Sequence, residues 1–133
     1  MRYLLDTNVC VDVFRGRADV MDRLRKSSPE DIAVSTITSY ELYTGVEKCR
    51  QPDREREKVR LLLGTIHELP FLGPTALTAA RVRASLEAQG CSIGPYDVLL
   101  AGHALSAGLI LVTANTSEFS RVQGLRLENW RVA

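Results

Sequence analysis

The sequence predicts an α/β protein built on a mostly parallel sheet, and three features carry that expectation. Short apolar runs at residues 3–5, 32–34 and 109–113 lack polar alternation, as strands buried on both faces do. Between them lie longer stretches whose apolar residues recur at helical spacing. The two kinds of segment alternate along the whole chain, which is the signature of strand–helix–strand units.

Taken in order, Tyr3-Leu4-Leu5 reads as a buried strand that ends at Asp6. Residues 7–15 predict a short helix with Val9, Val13 and Phe14 as its apolar side, stopped by Gly16. Residues 19–27 predict a second, with Val20, Met21 and Leu24 on one face. A loop at 28–31 leads to the strand Ile32-Ala33-Val34, and a helix over 36–48 follows. Gln51-Pro52-Asp53 breaks the chain before a charged helix over 54–63 that ends at Gly64. Residues 66–69 read as a third strand, followed by a loop through Pro70 and Pro74. An alanine-rich helix over 75–88 stops at Gln89-Gly90. Pro95 suits the first position of a nearly all-apolar, buried helix that runs to Ala107 and ends at Gly108. Residues 109–113 read as a central parallel strand, 114–120 as a loop, and 125–127 as a short edge strand.

At 133 residues the chain has the size of a single domain, 1–133, large enough to bury a core without disulfides. Cys10, Cys49 and Cys91 are scattered, with no C-x-x-C pair, which argues against a disulfide framework or a thiolate zinc site. The opening residues reach an acid at once, and no apolar run approaches membrane-spanning length, so the expected setting is the cytoplasm, away from membranes. The net charge is only +1, so any nucleic-acid contact must come from local groups. Arg50, Arg54, Arg56, Lys58 and Arg60 alternate with Asp53, Glu55 and Glu57 and read as a solvated helix face. Arg15, Arg17, Arg23, Arg25 and Lys26 are less compensated; Arg15 and Arg17, with Arg121, are the candidates for backbone phosphate.

The chemistry is carried by acids. In open α/β sheets ligands bind beyond the carboxyl ends of the strands. Asp6 follows the first strand, Glu41 lies early in the helix after the second, and Asp97 sits in the first turn behind Pro95. Asn115 and Glu118 lie just past the last apolar strand. Each has an ordinary structural alternative. Asp6 or Thr7 caps a helix, Thr38-x-x-Glu41 matches a capping box, and Asp97 complements a helix dipole. Together, acids gathered at one sheet edge without basic partners repel one another and call for a cation, with Mg²⁺ or Mn²⁺ suited to hard oxygen ligands. No phosphate loop, dinucleotide fingerprint or serine elbow is present, and His67 and His103 lack metal-ligand spacing.

Four segments then resemble a known family. LLDTNVCVDVF is similar to the first acidic motif of PIN-domain ribonucleases, in particular the VapC toxins of bacterial VapBC toxin–antitoxin systems. STITSYELYTGVEK resembles the second, IGPYDVLLAGHALSAGLILVTANTSEF the third and fourth run together, and GLRLENW the ending of the enteric-type branch. The resemblance implies a PIN-like three-layer α/β/α sandwich with a central parallel sheet of four or five strands. It implies a toxin endoribonuclease that cuts single-stranded RNA with Mg²⁺ or Mn²⁺. The implied target is tRNA, in the enteric-type branch initiator tRNA at the anticodon stem-loop. A VapB-type antitoxin would silence the enzyme, in assemblies of a homodimer, heterotetramer or higher order.

Carried over by position, Asp6, Glu41 and Asp97 match the three metal-holding acids. Thr7 and Asn8 match the polar pair after the first acid, and Thr113 and Asn115 match the T-x-[DN] element. Many relatives have a fourth acid where this chain has Asn115, so a second metal would need Glu118 or RNA phosphate. Two other readings stand beside this one: a non-catalytic PIN module that binds RNA or protein, and a phosphotransfer domain. The latter is opposed by the missing second Asp after Asp6 and by the lack of a Lys after Val112.

Overall fold

The computed structural model describes residues 1–132 and contains one parallel sheet between two layers of helices. The strands are β1 (Tyr3–Leu5), β2 (Ile32–Ser35), β3 (His67–Leu69), β4 (Ile110–Val112) and β5 (Leu127–Glu128). The helices are α1 (Thr7–Phe14), α2 (Ala18–Lys26), α3 (Thr36–Lys48), α4 (Pro52–Thr65), α5 (Gly73–Ala88), α6 (Pro95–Ala107) and α7 (Thr116–Phe119). The expected three-layer α/β/α sandwich is what forms, with five strands.

The side-chain alternation of the strands sorts the core into two halves. Tyr3, Leu5, Ile32, Val34 and Val112 face one side and pack with residues of α1 to α4. Leu4, Ala33 and Leu111 face the other and pack with α5, α6 and Phe119 of α7. Both faces are dry, which is why these strands carry no polar alternation.

The strand order is β3-β2-β1-β4-β5, and every pair is parallel. The chain therefore builds outward from β1 to β3, then crosses to the other side of β1 to lay down β4. That reversal opens a crevice beyond the carboxyl ends of β1 and β4, the place where such sheets bind ligands. Asp6 lies at the end of β1 and Thr113 at the end of β4, with Tyr3 opposite Ile110 and Leu5 opposite Val112. The Asp6 N–H donates to the Val112 carbonyl at 3.0 Å, carrying the ladder to the rim of the crevice.

Three local expectations are corrected. The charged helix α4 starts at Pro52, which occupies the first turn where its missing N–H costs nothing, and it continues through Gly64 to Thr65. The Gly64 penalty of about 1 kcal/mol is outweighed by burial of Leu62 and Ile66 around it. Residues expected as a loop at 114–120 include α7; four residues cannot sustain a helix alone, and burial of Phe119 holds this one in place. The edge strand is shifted to Leu127–Glu128, because Leu111 and Thr113 donate to the carbonyls of Arg126 and Glu128 at 2.9 Å each. Beyond it Trp130, 1% exposed, closes the first half-core edge-on against Tyr3, with ring centroids 5.5 Å apart. Among the described residues, no helix is long and apolar enough to cross a membrane.

Candidate active site

Asp6 serves two purposes. As the residue between β1 and α1 it has extended backbone, and its Oδ1 accepts from the Val9 N–H at 2.9 Å. It is thus a helix cap, as one sequence alternative held. It is also 4% exposed at the mouth of the crevice. Burial raises its pKa, against the pull of the Thr113 hydroxyl and the Val9 and Asn8 amides. A carboxylate in that position is costly by itself and is held in one orientation, as a metal ligand needs to be.

Glu41 is freed by where α3 begins. The helix starts at Thr36 and Ser35 is its cap, with Oγ accepting from the Ile37 N–H at 3.0 Å. The capping box read from Thr38 and Glu41 is therefore not formed. Glu41 instead projects toward α1, where Thr7 Oγ1 donates to its Oε1 at 2.7 Å and lies 3.2 Å from Thr38 Oγ1. Thr7 thus positions the second acid while its neighbour Asp6 supplies the first.

Asp97 lies in the first turn of α6, three residues after the cap Gly94. A Cβ on Gly94 would stand 3.0 Å from Asp97 Oδ2, so the glycine leaves room for the carboxylate to fold back over the helix start. Its pKa is pushed up to about 6, first by burial and then by the charges of Glu118, Asp6 and Glu41. Glu118, on α7, is held by the Asn115 amide, whose Nδ2 donates to Oε2 at 2.6 Å. The Asn115 N–H in turn donates to Thr113 Oγ1 at 3.0 Å. Thr113, Asn115 and Glu118 thus form a braced rim beside Asp6, and the sequence-predicted acids share one electrostatic field.

The arrangement suits a divalent cation in its chemistry: all donors are hard carboxylate oxygens, and their mutual repulsion is relieved when a cation enters. Among the described residues, no three such groups are already drawn into a ligating cluster. Asp97 lies within electrostatic reach of Glu118, Asp6 and Glu41, which add to the burial that raises its pKa. Because a protonated Asp97 is a poor ligand, Mg²⁺ or Mn²⁺ affinity should rise as pH climbs through about 6 and level off above about 7. Calorimetric titrations at pH 5, 6 and 7.5 check this; equal affinity at all three would contradict it.

The basic candidates separate. Arg15 is exposed and lines a cleft of about 300 Å³ together with Asp6, Asn8 and Asn115. Arg17 pairs with Asp19 at 2.8 Å, and Arg121 donates to the Ser92 carbonyl at 3.2 Å; neither lines that cleft. His103 is buried, 2.8 Å from Ser35 Oγ and edge-on to Phe71, and burial lowers its pKa, in keeping with a structural role.

Sequence reasoning missed Asp12 and Arg131. It expected no basic residue at these strand ends, yet the C-terminal segment brings Arg131 to the Asp6 cleft. Its guanidinium grips the buried Asp12 through two bonds, Nε to Oδ2 at 2.8 Å and Nη2 to Oδ1 at 2.7 Å. That fork commits the charge to Asp12. An acid between Val11 and Val13 on a core-facing helix was the available sign for Asp12. Nothing local marks Arg131, 119 residues away.

Comparison with known proteins shows the family and the same fold. A family model described as the PIN domain matches residues 3–125. The chain is 37% identical over 131 residues to the tRNA(fMet)-specific endonuclease VapC of Shigella flexneri, covering 98% of each. It is 33% identical over 130 residues to the protein of the same name from Salmonella typhimurium strain LT2, again covering 98% of each. Among solved structures, a DNA-bound VapBC complex from Salmonella typhimurium contains a chain that matches with a TM-score of 0.94 and 33% identity, over 98% of this chain and 99% of that one. VapBC2 from Rickettsia felis, bound to a promoter DNA fragment, matches with a TM-score of 0.92 and 32% identity, over 98% and 100%.

Proposed function

The chain belongs to the PIN-domain family, and from that premise we propose that it is a single-domain toxin endoribonuclease of the VapC type, dependent on Mg²⁺ or Mn²⁺. The observation that carries the chemistry is the Asp97 carboxyl, raised to about 6 beside Glu118, Asp6 and Glu41. Acids assembled this way, at the crevice of a parallel sheet, are built to be neutralised by a cation.

Asp6, Glu41 and Asp97 would hold the metal. A bound divalent cation supplies a Lewis acid that turns water into a nucleophile and steadies negative charge on the leaving oxygen. The remaining work is done by the chain. Thr7 keeps Glu41 aimed inward, Thr113 and the amides of Asn8 and Val9 fix Asp6, and Asn115 holds Glu118 at the rim. Arg15 stands at the cleft for backbone phosphate, with Arg17 and Arg121 as outlying contacts.

The substrate we propose is tRNA, following the names of the Shigella and Salmonella relatives, with initiator tRNA and its anticodon stem-loop as the specific target. The proposed partner is a VapB-type antitoxin, as in the VapBC complexes, and the assembly a homodimer that forms a heterotetramer or larger complex with it. The proposed location is the cytoplasm.

Purified chain incubated with total tRNA should cut it in Mg²⁺ or Mn²⁺. Cleavage should stop with EDTA and in Asp6→Asn. Equal cleavage by the variant, or cleavage indifferent to EDTA, would overturn the assignment.

A further inference from the structure

Two tyrosines border the carboxylates. Tyr40 immediately precedes Glu41 on α3, and Tyr96 immediately precedes Asp97 on α6. Consecutive Cα atoms are about 3.8 Å apart, so each ring springs from backbone beside an acid. The side chains are 54% and 42% exposed, although their helices have cores to pack against. Their ring centroids lie 5.7 Å apart with planes tilted by 48°, and their hydroxyls meet at 3.2 Å.

This arrangement is more than two stray surface aromatics. The hydroxyl contact joins α3 to α6 and holds both rings in one geometry before anything binds, reducing the ordering cost on association. The pair thus spans the two helices that carry Glu41 and Asp97, one residue from each acid along the chain. The acids and a cation can handle a phosphodiester, but they offer nothing to a base. Aromatic faces do: unstacked bases of single-stranded RNA settle on tyrosine rings, with little regard to sequence.

We propose that the Tyr40–Tyr96 pair is the seat for one unpaired nucleobase of the RNA strand whose phosphodiester lies at Asp6, Glu41 and Asp97. This rests on the RNA-cleavage reading above. Stacking requires a base drawn out of its helix, so the seat selects loops and single strands over duplex. The two hydroxyls at its edge add a donor and an acceptor for the base rim.

The test uses the full chain carrying Asp6→Asn, so that RNA stays intact, with Mg²⁺ and single-stranded oligonucleotides bearing 2-aminopurine at successive positions. Binding should quench the fluorescence strongly at one position. Adding Tyr40→Leu or Tyr96→Leu should abolish that quench and weaken binding about tenfold, the effect of losing one base–aromatic stack. Tyr40→Phe and Tyr96→Phe keep the rings and should retain the quench. Unchanged quench and affinity in the Leu variants, while the native chain cuts RNA, would overturn the seat and leave the ribonuclease standing. If the Leu substitutions change the mass in light scattering and leave RNA binding intact, the rings belong to a contact between copies and the proposal falls. A native chain that neither binds nor cuts RNA would remove the ribonuclease reading first, and the seat with it.

Discussion

Replacing Asp97 with Asn should sharply slow RNA cleavage and at the same time stabilise the metal-free protein. Loss of one metal-holding carboxylate is expected to lower the cleavage rate by roughly 100-fold to 10,000-fold, the equivalent of several kcal/mol of charge stabilisation. The stability effect has the opposite sign for a physical reason. The Asp97 carboxyl is raised to about 6 by burial and by Glu118, Asp6 and Glu41, so its ionised form is disfavoured in the folded protein. The folded chain therefore holds this proton more tightly than the unfolded one. The contribution of Asp97 to stability declines as pH rises from about 3.8 to about 6 and stays at its low level above. Asn keeps the shape without the charge. For a half-buried group screened by solvent, the gain at pH 7.5 is about 1 kcal/mol, or about 3 °C in melting temperature. It should shrink toward zero near pH 4. Thermal melts in EDTA at the two pH values read it directly. A variant less stable than the native chain at pH 7.5 would show that Asp97 is a structural residue first.

Gly102→Leu should unfold or badly loosen the protein, and even Gly102→Ala should destabilise it. In an exposed helix, Gly to Ala gains about 1 kcal/mol of propensity. Here the sign reverses, because a Cβ on Gly102 of α6 would lie 2.5 Å from both Cα and Cβ of Ala79 on α5, and 2.8 Å from its backbone nitrogen. Those atoms are not the end of a flexible side chain, so α5 itself must move. Overpacking of this kind costs about 1–3 kcal/mol for Ala and more for Leu. Urea unfolding of Gly102→Ala should show a lower midpoint; an equal or higher one would mean that the two helices part without strain. Cleavage should also suffer. Asp97 lies in the first turn of the helix that Gly102 seats, and a shift of about 1 Å at a reacting group can cost about 100-fold.

The helices α5 and α6 were readable from composition and punctuation, but their contact was not. In the sequence Gly102 is one small residue within an apolar helix, and its necessity appears only against Ala79. The same holds for the carboxyl-terminal segment. Local pattern suggested an edge strand at 125–127, while pairing with β4 set it at Leu127–Glu128 and brought Arg131 to Asp12. The helix α7 is not legible in the sequence because four residues have too little intrinsic preference to form a helix without Phe119 in the core.

The acids divide along the same line. Continuous apolar runs marked β1, β2 and β4 as buried strands, and that alone put Asp6 and Thr113 at carboxyl ends. Glu41 and Asp97 could be placed early in their helices, each with a respectable cap or dipole role. Sequence could not choose between those roles, because a capping box and a metal ligand use the same residue types at the same spacing. The tertiary structure excludes the capping box. It started α3 at Thr36 with Ser35 as cap, so Glu41 met Thr7, and it set β4 beside β1, so the crevice opened where Asp6 stands. The elements of this protein, and the acids they carry, follow from local periodicity and turn chemistry. Their placement in space depends on strand order and on packing between residues far apart in the chain, which no local pattern encodes.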